Sequence, residues 1–68
     1  MQAEILSKVE RCIRSRLGSD RIVLKHTADP EMAEVYIGDE FVGTVYRDDD
    51  DGEVSFDFNM SILDADLE

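Results

Sequence analysis

The sequence predicts an α+β domain, an N-terminal amphipathic helix packed on a four-stranded antiparallel β-meander. Two observations carry that expectation. Over the first 17 residues the apolar positions recur with a helical period, and beyond Gly18 the period falls to two, in runs separated by turn residues. The 68 residues suffice for one domain with a small core, since a domain of this size buries only about 60% of its unfolded surface.

The helix is expected over residues 3–17. Ile5, Leu6, Val9, Cys12, Ile13 and Leu17 fall in one stripe roughly 140° wide, the width of a core-facing helix surface. Gly18 stands where a left-handed residue would end the helix, and Arg14 and Arg16 complement the negative end of its dipole. Glu4 with Lys8, and Glu10 with Arg14, are i,i+4 pairs in the favourable orientation. Lys8, Arg11 and Arg14 then line the side away from the core, either as a solvated face or as a docking surface for an acidic partner. Cys12, on the apolar stripe, reads as an inert core thiol.

The strands are expected at about 21–25, 33–37, 41–46 and 53–60. Asp29-Pro30 interrupts regular structure after the first. Gly38-Asp39-Glu40 makes a tight connection between the second and third. The fourth alternates most clearly, with Val54, Phe56, Phe58 and Met60 on one side and Ser55, Asp57 and Asn59 on the other. At the tail, Ser61 and Asp64 match a capping box, and a short turn over 61–67 would bring Ile62, Leu63 and Leu67 back against the sheet or onto a partner.

Strand parity assigns the faces. A five-residue loop over 48–52 pairs Tyr46 with Val54, Thr44 with Phe56 and Val42 with Phe58, and the hairpin at Asp39 sets Val35 and Ile37 beside Val42 and Thr44. The expected core face is therefore Val35, Ile37, Val42, Tyr46, Val54, Phe56, Phe58 and Met60. Tyr36, Phe41 and Val45 fall on the opposite face around Gly43. They are the candidate partner-binding surface, the other reading being an aromatic ring laid over Gly43 to repair its packing.

Charge is divided along the chain. Residues 1–25 carry six basic and three acidic side chains, whereas residues 26–68 carry fourteen acidic ones against Arg47 alone. A net charge of −10 repels phosphates and anionic lipid, so nucleic acid and membrane are not the expected partners. No apolar run is long enough to span a bilayer, the start of the chain does not read as a signal peptide, and one cysteine offers no internal disulfide. The expected location is cytoplasmic.

The run Asp48-Asp49-Asp50-Asp51-Gly52 invites comparison with a calcium loop. Aligning Gly52 with the invariant glycine puts Arg47 at the first carboxylate and Phe58 at the bidentate glutamate, so a solvated hairpin loop is the simpler reading and weak divalent-cation binding the alternative. Single copies of His26 and Cys12 assemble no zinc set, and the four glycines form no phosphate cradle. No catalytic constellation emerges, and no cofactor is expected.

Two stretches, AEVYIGDEFVG at 33–43 and DGEVSFDFNMSILDADLE at 51–68, resemble a family of short alphaproteobacterial proteins catalogued as domain of unknown function 3126. The resemblance implies a small cytosolic bacterial protein and carries over no catalytic residue. The residues themselves point to an interaction module, binding a protein partner or a second copy of itself.

Overall fold

The computed structural model describes residues 1–50 and 52–67. Helix α1 (Ala3–Leu17) is followed by strands β1 (Ile22–His26), β2 (Met32–Ile37), β3 (Glu40–Asp50) and β4 (Glu53–Met60), then by a 3-10 turn, Asp64–Leu67. The strands form one antiparallel sheet in the order β1-β2-β3-β4, as the α+β reading requires. Gly18 ends α1 with φ 65°, and the next residue's N–H reaches back to the Arg14 carbonyl at 3.1 Å. Between β1 and β2 the chain turns on its own side chains. The Asp29 N–H donates to Thr27 Oγ1 and the Glu31 N–H to Asp29 Oδ1.

Helix α1 makes its main backbone approach to β1. Two polar side chains secure it there. Arg14 Nε donates to the Ile22 carbonyl at 2.7 Å, the Leu24 N–H donates to Glu10 Oε2 at 2.9 Å, and Arg14 and Glu10 pair with each other at 3.4 Å. Those carbonyl and N–H groups lie on the outer edge of β1, so the helix both packs on the sheet and occupies that edge. Arg14 is thereby removed from the basic docking stripe expected with Lys8 and Arg11.

The core gathers beneath α1. Val9 meets Ile22 and Leu24 of β1, Ala33 and Val35 of β2, Val45 of β3, and Met1 from ahead of the helix. Ile5, Leu6, Ile13, Ile37, Val42 and Phe58 pack around them. Burying these branched aliphatics is the main source of stability, at about 1.5–3 kcal/mol for each full-size side chain.

The assignment of Val45 to the outer face is overturned, and two register effects account for it. At the tip of the β2–β3 hairpin Tyr36 faces Phe41 and Ile37 faces Glu40, which is the expected parity. The register then shifts between Val35 and Tyr36, so that Val35 faces Gly43 and Ala33 faces Val45, with Val42 as the extra residue of a β-bulge. One inserted residue exchanges the faces of everything beyond it. The second effect is at the acidic run, which is strand through Asp50 where a five-residue loop is expected. Strand β3 continues through Asp50, Asp50 faces Glu53, and only two positions separate β3 from β4. Val45 therefore faces Phe58 under the helix with no solvent exposure, while Tyr46 faces Asp57 on the other side and is 44% exposed. The expected pairs Tyr46–Val54, Thr44–Phe56 and Val42–Phe58 do not form.

Candidate functional site

Strand β4 keeps its expected alternation, with Val54, Phe56, Phe58 and Met60 on the side of the helix. What differs is their cover. Because α1 lies over the β1 half of the sheet, β4 lies beyond its shelter: Phe58 is half-buried, while Val54 is 48%, Phe56 36% and Met60 47% exposed. Between α1 and the β3–β4 hairpin runs an open groove of about 820 Å³. Its floor is Val45, Phe56 and Phe58, and Val9, Ile13 and Leu17 form the helix wall. Lys8, Arg16 and Arg47 stand at its margins; Lys8 pairs with Glu4 at 3.6 Å and Arg47 with two carboxylates, so Arg16 is the margin cation without a carboxylate partner among the described residues.

The helix wall explains a second correction. Cys12 is exposed, not a core thiol, because the part of the apolar stripe that it shares with Leu17 overhangs the groove rather than the sheet. The stripe is wider than the surface that β1 and β2 can cover.

Arg47 holds the far end of the groove. Its guanidinium reaches Glu31 at 3.1 Å and Asp49 at 3.5 Å, and its backbone N–H donates to the Glu31 carbonyl at 2.8 Å. The hydrogen bond to Glu31, ahead of the two carboxylate charges, holds its pKa above the ordinary arginine value. The acidic run is distributed along the strand. Asp48 faces Ser55, Asp49 faces Val54 and bonds to Arg47, and Asp50 faces Glu53, so successive carboxylates point to alternate sides. Asp51 lies outside the described residues, and among the described residues no group of three His, Cys, Asp or Glu side chains is placed to hold a metal ion.

On the opposite face Tyr36 and Phe41 do meet, edge to face, with ring centroids 5.6 Å apart at 71°. Lys25 Nζ lies 4.3 Å from the Tyr36 ring centre, and the Tyr36 hydroxyl donates to Glu34 Oε1 at 3.1 Å. The pair is therefore already engaged, although Phe41 remains 52% exposed. The space a side chain at Gly43 would take is filled by the backbone of Asn59 and Met60. Of the three residues expected together, the structure unites Tyr36 with Phe41 and takes Val45 to the other side.

The Glu34 hydrogen bond, more than partial desolvation, raises the Tyr36 phenol above its ordinary value, because the carboxylate holds the proton in place. Spectrophotometric titration should find that phenol ionising late, and Glu34→Gln should bring its midpoint down. A midpoint unmoved by Glu34→Gln would remove the hydrogen bond as the cause. Phe41→Ala should cost about 0.5–1.5 kcal/mol in thermal denaturation, the value of an edge-to-face pair.

The tail departs from expectation as well. Ser61 does not cap a helix; its N–H prolongs the β3–β4 pairing by donating to the Val42 carbonyl. Asp66 instead accepts from the Leu63 N–H at 3.1 Å and donates its own N–H to the Leu63 carbonyl at 2.8 Å. Ile62, Leu63 and Leu67 do not fold back, being 70%, 64% and 73% exposed. Among the described residues no helix is long and apolar enough to cross a membrane.

The groove is not legible in the sequence because its apolar residues, Val45 apart, read as parts of a closed core and Val45 reads as outer face. The available signal was an apolar row on four strands, too broad for one 15-residue helix to cover. No curated protein and no solved structure matches the chain. A family model described as "Protein of unknown function (DUF3126)" matches residues 5–66, which takes in most of the helix, all four strands and most of the tail. That span is nearly the whole chain, and the protein belongs to the DUF3126 family.

Proposed function

We propose that this protein is a small, non-catalytic interaction module of the cytoplasm, and that it binds through the helix side of β3 and β4. One observation carries the reading: α1 shelters only the β1 half of the sheet and leaves Val54, Phe56 and Met60 in the open beside the exposed Leu17. A contiguous apolar surface of this kind costs free energy in water, and burying it against a partner recovers that cost. The apolar lining favours an occupant that is apolar at its centre, and Arg16, the margin cation with no carboxylate partner among the described residues, favours an acidic group on that side of its rim. The single, unpaired cysteine is in keeping with a reducing compartment.

Val54→Lys tests this reading. Val54 is half-exposed and faces Asp49 on its own hairpin, so the lysine gains a carboxylate neighbour and the fold should survive. At an interface the same lysine would have to be desolvated. Affinity capture with the tagged chain should retain bound protein, including untagged copies of the chain, at least about tenfold less well with Val54→Lys. Tyr36→Glu, on the other face, should change nothing. Loss with Tyr36→Glu and retention with Val54→Lys would move the site to the Tyr36–Phe41 face.

A further inference from the structure

The two edges of the sheet are treated differently. The outer edge of β1 is occupied by the Arg14 and Glu10 side chains. The outer edge of β4 is eight residues long and carries no proline or lysine, and among the described residues no helix lies along it. Such an edge is a template for another strand. Building on the interaction reading above, we infer that the partner is a second copy of this chain, paired antiparallel through β4 about a two-fold axis at Phe56 to make one eight-stranded sheet.

Symmetry and charge select that register. A two-fold axis normal to the sheet keeps each side chain on its own face, so it must pass through a residue opposite its own copy. An axis at Ser55 sets Asp57 against Glu53 of the second copy, and an axis at Asp57 sets that carboxylate against itself; like charges directly opposite are destabilising. An axis at Phe58 avoids repulsion, yet it pairs only the stretch 56–60. An axis at Phe56 pairs the stretch 53–59. Glu53 then faces Asn59, Val54 faces Phe58, Ser55 faces Asp57 and Phe56 faces itself, so no carboxylate opposes another and the apolar row is continuous across the junction.

Asn59 provides the test, because its own partner on β3 is the uncharged Thr44, whereas the dimer sets it opposite Glu53 twice. Sedimentation equilibrium of the full chain should give about twice the 7.7 kDa monomer mass. Asn59→Asp should weaken the dimer about tenfold and Asn59→Lys should tighten it about tenfold, since each change acts at two symmetric charge pairs. A wild-type chain that stays at monomer mass at hundreds of micromolar overturns the inference, and if Val54→Lys still abolishes capture of another protein, the groove reading survives that failure. A dimer indifferent to both Asn59 variants overturns the β4 pairing. A dimer indifferent to Val54→Lys as well lies off the groove, and the groove reading then falls if Val54→Lys also leaves the capture of other protein unchanged.

Discussion

Val45→Glu is expected to leave the chain unfolded at room temperature. Val45 has no exposed surface and lies between Phe58 of β4 and the Val9 side of the helix, with Ala33 opposite it on β2. A carboxylate there finds no hydrogen-bond donor, and burying it unpaired costs several kcal/mol. A chain of this length has a total stability of about 3–10 kcal/mol to set against that cost. Circular dichroism should show loss of both helix and sheet signal. Tyr46→Glu is the comparison, because Tyr46 is adjacent in sequence but 44% exposed on the outer face, and that variant should melt within about 1 kcal/mol of the parent. The two alleles invert under the five-residue-loop register, in which Tyr46 is core and Val45 is surface. An unfolded Tyr46→Glu beside a folded Val45→Glu would therefore restore that register.

Gly43→Ala is expected to have the second largest effect, from a single methyl group. A Cβ at position 43 would run into the Asn59 carbonyl and would stand 3.0 Å from the Met60 Cα. Both obstacles are backbone, so neither can rotate away, and the strands must separate. Gly43 is needed here for space rather than for a left-handed backbone, since the positive-φ glycines are Gly18, Gly38 and Gly52. The expected cost is about 3 kcal/mol, at the upper end for overpacking, with loss of amide protection at Ser61, whose N–H donates to the neighbouring Val42 carbonyl. Hydrogen exchange would localise the damage to the Met60 end of β4. A melting temperature within a degree or two of the parent would show that β4 does not approach Gly43 so closely.

These two positions mark where sequence reasoning stopped. The elements were legible because each rests on a local rule: a helical stripe closed by Gly18, turn residues between strands, and the alternation from Val54 to Met60. Adjacent antiparallel strands joined by short connections leave little choice of topology, so the meander followed. The faces were not legible, since they depend on counting. A bulge at Val42 reverses the parity of β3, and no local preference announces it. Four aspartates in a row read as loop, because aspartate is a poor strand former. The stronger signal was Asp51-Gly52, a favoured two-residue hairpin pair, and Gly52 has the φ of 79° that such a turn needs.

The candidate site divides in the same way. Tyr36 and Phe41 came together on the outer face as their spacing implied, because they sit at the hairpin tip before the bulge intervenes. The groove required knowing where the helix lies, and that is decided by Arg14 and Glu10 reaching the edge of β1, contacts between residues 8 and 14 apart in the chain. By itself the sequence determined the helix, the four strands, their order and the alternation of β4, since each of these is set by neighbouring residues. Only the tertiary structure decided that Val45 is core, that Arg14 belongs to the sheet edge and not to a docking stripe, and that the apolar row of β4 stands uncovered. The reason is physical: which face a strand buries depends on its register with another strand, and what a helix covers depends on where its polar side chains find partners, and neither is a property of any one segment.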